Sequence, residues 1–281
     1  MTPVQIAVLG AVAGLTIFLG LPIARLNAPA RWLRELLNAT ATGVLLFLLW
    51  DVLSHTAEPV EEALVSAVGG GESWATFALR AAVVIVGLGA ALLGLAYYEQ
   101  QMSARRRRRF GPGAMAVDEP GAAAARRVHV SDPAHRLAML IAVGIGLHNF
   151  AEGLAIGQSA AAGELSLAVV LIVGFGLHNA TEGFGITAPL AGERPGWGFL
   201  ALLGLIGGGP TFAGTLVGQS FVNETLYLGF LALAAGSILY VIVQLIGVAG
   251  KLGRTSLLYW GLLAGLLLGY ATDFLVEAAQ S

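Results

Sequence analysis

Two things are scarce in this sequence: cysteine, of which there is none, and charge, which only 11% of the residues carry. The absence of cysteine excludes disulfides, iron–sulfur clusters and thiolate metal sites, so any metal would be held by nitrogen and oxygen ligands. Ordinary soluble domains have about 25% charged residues. Because 57% of the 281 residues are hydrophobic, the composition excludes a typical soluble domain and predicts a polytopic membrane protein.

Long apolar runs divide the chain into helices. A transmembrane helix needs about 20 mostly apolar residues, and eight stretches meet this requirement. We therefore expect an all-α fold, a single transmembrane transporter domain over 1–281. Its 39 glycines suit close helix packing in lipid and are compatible with a homodimer. The expected spans are 4–24, 36–56, 76–98, 136–160, 165–187, 196–218, 225–249 and 255–277.

The basic residues predict the orientation, because Lys and Arg concentrate in cytoplasmic connections. If both termini are extracytoplasmic, fourteen of the fifteen basic residues fall on the cytoplasmic side, and Arg80 is the exception. The outer connections are acidic instead, with Glu58, Glu72 and Glu164 among them. We expect a multi-pass protein of the cell (inner or plasma) membrane.

The longest connection, 99–135, contains five consecutive arginines, Arg105 to Arg109, followed by a stretch rich in Gly, Pro and Ala. This pattern is typical of a disordered cytoplasmic loop whose arginines fix the topology and contact anionic lipid. A second interpretation makes His129 and His135 transient metal ligands on the exit side. No folded module accompanies the arginines, so we expect no nucleic-acid partner.

The most informative feature is an internal repeat. Residues 143–157 and 173–187 match at nine of fifteen positions with an offset of thirty residues, and both contain His-Asn-x-x-Glu-Gly. On a helix, residues three and four apart share a face. Each copy thus places a His, an Asn and a Glu together in an apolar span, where ionisable groups are costly and usually mark an ion or substrate path. The residues are His148, Asn149 and Glu152 in the first copy and His178, Asn179 and Glu182 in the second.

Two such helices facing each other predict a divalent-metal site between helices four and five. Two imidazoles and two carboxylates match the tetrahedral set that zinc accepts, and the two negative charges balance the ion. Empty, the two carboxylates repel each other. Gly153 and Gly183 follow the glutamates and permit close backbone approach. The alternative is polar side chains that only hydrogen-bond across the bundle; repetition of the whole triad argues against it.

The repeated motif resembles the fourth and fifth helices of the ZIP (Zrt/Irt-like) family of divalent-metal transporters. The eight spans, the outer termini and the long loop are similar to that family, and 234–241 resembles its seventh helix. The resemblance implies uptake of Zn²⁺, or of Cd²⁺, Fe²⁺ or Mn²⁺, through a binuclear centre. It implies a main site of His148, Glu152, His178 and Glu182, and a second position at which Asn149 and Asn179 share the glutamates.

Some positions depart from the family pattern. Ala151 and Thr181 stand where the family commonly has proline before each motif glutamate, so straighter helices are expected. Gly209 and Gln244 stand where many relatives have glutamates in helices six and seven. The second position has therefore lost an acidic ligand, while the main site keeps its own.

Two further features concern the transport path. Asp51 and His55 lie four residues apart near the outer end of helix two, which predicts either an entry vestibule for cations or an ordinary solvated helix end. The run 207–210, Gly-Gly-Gly-Pro, is expected to interrupt helix six, as broken helices do in transporters, or to kink it.

The function that these patterns favour is transport of a divalent cation, with zinc first. The alternatives are a metal sensor or binding protein without transport, and an intramembrane di-metal enzyme. We expect no enzyme, because the sequence offers no candidate nucleophile or general base outside the ligand set and no soluble substrate domain.

Overall fold

The computed structural model describes residues 2–26, 31–71, 73–109, 133–161, 165–190, 193–220, 223–252 and 256–278. In these ranges every regular element is helical, which confirms the all-α expectation. Seven segments, the first of them running from Pro3 to Arg25, are long and apolar enough to cross a membrane. The eight α-helices are α1 (Pro3–Leu15), α2 (Arg31–Val68), α3 (Trp74–Arg109), α4 (Pro133–Ala161), α5 (Leu165–Thr187), α6 (Trp197–Gly218), α7 (Glu224–Leu252) and α8 (Ser256–Ala278).

The first span begins with a helix and ends in tighter turns. Thr2 caps α1: its hydroxyl accepts from the Gln5 backbone, and the Gln5 side chain accepts from the Thr2 N–H. Pro3 sits in the first turn, where its missing N–H leaves no intrahelical bond unmade. After Leu15, two short 3₁₀ segments continue the span to Arg25.

Two helices are longer than the expected spans. α2 has 38 residues and α3 has 36, about 54–57 Å at 1.5 Å per residue, whereas the hydrocarbon core is about 30 Å thick. The expected loop at 99–135 is correspondingly shorter, because 99–109 continue α3 and α4 begins at Pro133. The rest of that prediction, at 110–132, lies outside the described residues.

The expected interruption of helix six is wrong. α6 is continuous from Trp197 to Gly218, with Pro210 inside it. The glycines there serve packing instead: a Cβ on Gly208 would overlap the Gly14 carbonyl of α1, and one on Gly207 would press on the Ile17 side chain. A Cβ on Gly146 of α4 would likewise overlap the Ile206 carbonyl. Gly207 and Gly208 thus let the first span approach α6, and Gly146 lets α4 approach it.

α4 is the central helix of the bundle. In the most apolar 18-residue stretch of α4, 72% of the residues are buried, against 17% in the corresponding stretches of α3 and α8. α4 packs most extensively on α6 and also contacts α5 and α7, while α2 packs on α8 and α3 on α7. The repeat motif of α4 is therefore surrounded by other helices.

Arg80 of α3 donates to the Pro59 carbonyl of α2 and lies 3.8 Å from a carboxylate oxygen of Glu224 on α7.

Candidate metal centre

The polar residues of both repeat copies are buried in the bundle. The three residues of α4 and the three of α5 are between 0% and 6% exposed, which removes them from solvent and lipid alike. Helical spacing explains the shared direction within each copy, because positions i, i+1 and i+4 cover one side of a helix. The six residues are His148, Asn149, Glu152, His178, Asn179 and Glu182.

Three of these side chains converge on one point between α4 and α5. Glu152 Oε1 lies 2.8 Å from His148 Nε2 and 2.5 Å from His178 Nε2. One ligand atom from each of the three residues falls within 4.8 Å of the others, so the group can hold a metal ion. The imidazole centroids are 6.2 Å apart. Side chains that are thirty residues apart in the sequence thus meet as the repeat predicts.

Glu182 lies beside this group and is less closely engaged. Its Oε1 is 3.9 Å from His148 Nε2, and the residue is fully buried. Neither of its carboxylate oxygens has a hydrogen-bond partner among the described residues, and the same is true of Glu152 Oε2. A buried carboxylate without partners is strongly unfavourable. A divalent cation would compensate both acids.

The distances suit a small cation after slight rearrangement. With bonds of about 2.0–2.2 Å, the ligand atoms of a tetrahedral zinc site lie about 3.4 Å apart. The two contacts of Glu152, at 2.8 and 2.5 Å, would lengthen, whereas the 3.9 Å contact of Glu182 would shorten. Each of these three separations differs from the tetrahedral value by less than about 1 Å.

The two asparagines are held by helices outside the repeat. Asn149 Nδ2 donates to the Gly207 carbonyl of α6 at 3.0 Å, and Asn179 Nδ2 donates to the Ala13 carbonyl of α1 at 3.2 Å. Both Oδ1 atoms are buried without a hydrogen-bond partner in the described part of the chain. The amide nitrogens thus fix the side chains, and the oxygens are left as potential ligands. The sequence repeat did not predict these two hydrogen bonds to α6 and α1.

The motif glycines bring the same helices close. A Cβ on Gly153 would overlap the Thr211 carbonyl of α6, and a Cβ on Gly183 would overlap the Ile17 carbonyl in the first span. The expected close backbone approach is confirmed at both positions. Each copy of the motif is therefore fixed by one asparagine and one glycine against a different neighbour.

The two non-proline positions before the glutamates keep the helices regular. α4 and α5 are unbroken through Ala151 and Thr181. The Thr181 hydroxyl donates to the His178 carbonyl at 2.7 Å. This bond ties the motif threonine to the turn that carries the imidazole.

Asp51 and His55 lie outside the cluster, on α2. His55 Nδ1 is 3.4 Å from Asp51 Oδ1 and 3.0 Å from the Asp51 carbonyl oxygen. The His55 side chain is 64% exposed and that of Asp51 28% exposed. The pair thus lies at the partly exposed surface of α2.

A second polar cluster, which the sequence analysis did not identify, surrounds Glu99 on α3. Glu99 Oε2 accepts hydrogen bonds from Tyr240 Oη at 3.1 Å and Gln244 Nε2 at 2.9 Å, joining α3 to α7. The Gln244 side chain on α7 therefore forms a hydrogen bond with a carboxylate on α3. The spacing of Tyr240 and Gln244, four residues apart on one face, was the available signal.

Comparison with other proteins adds no assignment: no family model matches the chain, and a search of curated proteins finds no match.

Proposed function

We propose that this protein is a divalent-metal transporter that carries zinc, as its favoured substrate, from outside the cell into the cytoplasm. The proposal joins the resemblance to the ZIP family with the eight-helix fold. One observation carries it: His148, Glu152 and His178 place three ligand atoms within 4.8 Å of one another inside a bundle of apolar helices. Ionisable residues at such depth are by default part of an ion path.

The ligand chemistry supports a divalent cation of intermediate softness. Imidazole and carboxylate groups suit Zn²⁺, and they also accept Cd²⁺, Fe²⁺ and Mn²⁺. The unpartnered oxygens of Glu152 and Glu182 supply two negative charges. The asparagine oxygens offer a second, weaker position next to the main site.

The route begins at Asp51 and His55 in this proposal. A partly exposed carboxylate attracts cations, so an incoming ion would meet this pair before the buried group. Helix movement that exposes the site to each side in turn then completes transport, as in other carriers.

The test is zinc flux into proteoliposomes that contain a fluorescent zinc indicator. His178→Ala and Glu152→Ala should abolish flux while the protein still inserts, because each removes a ligand of the buried group. Glu193→Gln, an exposed acid outside the group, is the matched control and should transport normally. Normal flux in either site variant would refute the assignment of these residues.

The same experiment separates the alternatives. Tight zinc binding without flux in the unsubstituted protein would support a sensor or binding protein. This alternative is favoured by Gly209 and Gln244, which stand where many relatives of the resembled family have glutamates, so the second position lacks an acidic ligand. Conversion of a substrate without metal movement would support an enzyme.

A further inference from the structure

Two apolar side chains of α7 lie against the helices that carry the metal group. Val241 and Leu245 are fully buried, and their spacing of four residues puts them on one face of the helix, the apolar α7 face. A Cβ added to Gly144 of α4 would lie 2.6 Å from Val241 Cγ2, and one added to Gly185 of α5 would lie 3.5 Å from Leu245 Cδ1. The apolar α7 face thus packs on α4 and reaches α5.

The contacts within the metal group show how α4 and α5 run past each other. Glu152 Oε1 lies 2.5 Å from His178 Nε2, and Glu182 Oε1 lies 3.9 Å from His148 Nε2. The residue number rises by four along α4 and falls by four along α5 between these two contacts. The two helices are therefore antiparallel at the metal group.

Both contacts of the apolar α7 face consequently fall on the same side of the metal group. Gly144 precedes His148 by four residues, which is about 6 Å along the helix axis. Gly185 follows Glu182 by three residues, which is about 4.5 Å. The apolar α7 face thus lies about one helical turn beyond the contact between His148 and Glu182.

The neighbouring face of α7 is polar and is held by α3. Tyr240 and Gln244 directly precede the two apolar residues, and both donate to Glu99 Oε2, at 3.1 and 2.9 Å. Leu95, one turn before Glu99 on α3, also reaches this level, because its Cδ1 would lie 3.8 Å from a Cβ added to Gly144. α3 therefore contacts α7 and α4 close to the metal group.

The two kinds of contact fix different properties of α7. Burial of apolar side chains is not directional, so it holds α7 near α4 without defining the rotation of the helix. Hydrogen bonds depend on distance and angle, and those to a carboxylate are about twice as strong as neutral ones. The two bonds to Glu99 therefore define which face α7 presents to α4 and α5.

We propose that Glu99 is a positioning residue for the metal group. By accepting from Tyr240 and Gln244, it fixes the rotation of α7, and the apolar α7 face then keeps α4 and α5 in their relative positions. Glu182 Oε1 already lies 3.9 Å from His148 Nε2, so a looser pair of helices weakens the contribution of Glu182 to a bound ion. This inference rests on the proposed function, because it requires that the group binds zinc.

The test is a zinc titration of the detergent-solubilised protein and its Glu99 variants. Glu99→Leu removes both acceptor oxygens and should lower zinc affinity about tenfold, the lower end of the range for groups that support metal ligands. The loss stays at that end because Asn38 Nδ2 of α2 still donates to the Leu245 carbonyl, at 3.2 Å. Glu99→Gln keeps an oxygen that can accept from Tyr240 and should recover most of the affinity. Unchanged affinity in Glu99→Leu would overturn the positioning role.

A matched control separates positioning from a general loss of stability. Gly269→Ala on α8 should also destabilise the protein, because its Cβ would overlap the Phe47 side chain of α2, but this contact does not involve α7. Gly269→Ala should keep the zinc affinity of the unsubstituted protein. A tenfold loss in Gly269→Ala as well would show that affinity merely follows stability, and would overturn the proposal.

A milder variant covers the case in which Glu99→Leu does not fold. Tyr240→Phe removes one hydroxyl and leaves the Gln244 bond, so its zinc affinity should fall by less than tenfold. An unchanged affinity in Tyr240→Phe would then count against the positioning role.

A double-mutant cycle tests the route through α7. Val241→Ala shortens the side chain that contacts α4 and should lower zinc affinity by itself. If Glu99 acts through the apolar α7 face, the combined loss in Glu99→Leu with Val241→Ala falls short of the product of the two single losses. A full product would show that the two residues act independently and would overturn the route. If the unsubstituted protein binds no zinc, the proposed function itself fails, whereas zinc binding that ignores every Glu99 variant refutes the positioning role alone.

Discussion

Glu152→Gln should weaken zinc binding more than Glu182→Gln, although the two residues occupy equivalent positions in the repeat. The structure distinguishes them. Glu152 Oε1 contacts both imidazoles, at 2.8 and 2.5 Å, whereas Glu182 Oε1 lies 3.9 Å from one of them. Glutamine keeps the shape of the side chain but removes its charge, so the comparison isolates the carboxylate.

The expected magnitudes follow from these positions. Loss of a group that merely supports a metal ligand costs about 10–100-fold in affinity. Glu152 is a member of the three-residue group, so its loss should reach at least about 100-fold, or about 2.7 kcal/mol. Glu182 must move inward to bind, and its loss should cost nearer tenfold, about 1.4 kcal/mol.

The assay is isothermal titration of zinc into detergent-solubilised protein, with thermal denaturation of each variant as the control for folding. Equal losses in the two variants would show that the ion sits symmetrically between the acids. A larger loss in Glu182→Gln would refute the reasoning from the contacts of Glu152.

Three other outcomes are expected. Zinc affinity should fall as the pH is lowered, because imidazole and carboxylate ligands must lose protons before they bind a metal; titrations in buffers of different ionisation enthalpy count the released protons, and a pH-independent affinity would contradict the ligand set. Gly153→Ala should lower the free energy of unfolding by about 1–3 kcal/mol, because the added Cβ would overlap the Thr211 carbonyl. Gly209→Ala should not destabilise the protein, because its Cβ would meet no atom within 4 Å; equal melting temperatures for the two variants would contradict the packing argument. Glu99→Leu should lower the free energy of unfolding by about 1–3 kcal/mol for each donor left without its acceptor. Glu99→Gln should lower it by less, since an amide oxygen can still accept from Tyr240. Thermal denaturation measures both variants, and an unchanged melting temperature for Glu99→Leu would show that the link between α3 and α7 adds no stability.

The helices were predictable because their signal is local. An apolar run of sufficient length predicts a membrane helix wherever the rest of the chain lies. The helix expected at 165–187 has the bounds of α5, and seven of the eight expected spans are long and apolar enough to cross a membrane in the described residues. The repeat was equally informative, because fixed spacing on a helix fixes the shared face of His148 and Glu152. Sequence alone thus identified most of the spans and the three residues, His148, Glu152 and His178, that converge in the bundle.

What sequence could not show depends on how helices meet. The inequality of Glu152 and Glu182 arises from the relative rotation of α4 and α5, which the repeat leaves undefined. Glu99 and Tyr240 are 141 residues apart in the chain, so nothing local announced their hydrogen bond. The run at 207–210 predicted a break or a kink, but α6 is continuous there, and Gly207 and Gly208 lie against the first span.

Anomalous diffraction at the zinc edge, from crystals grown with zinc, would test most directly whether α4 and α5 share a metal ion. A single strong peak is expected about 2.0–2.2 Å from His148 Nε2, His178 Nε2 and a carboxylate oxygen of Glu152, with Glu182 drawn towards it. A zinc-loaded structure with its peak elsewhere, and with these side chains still in contact with one another, would contradict the account.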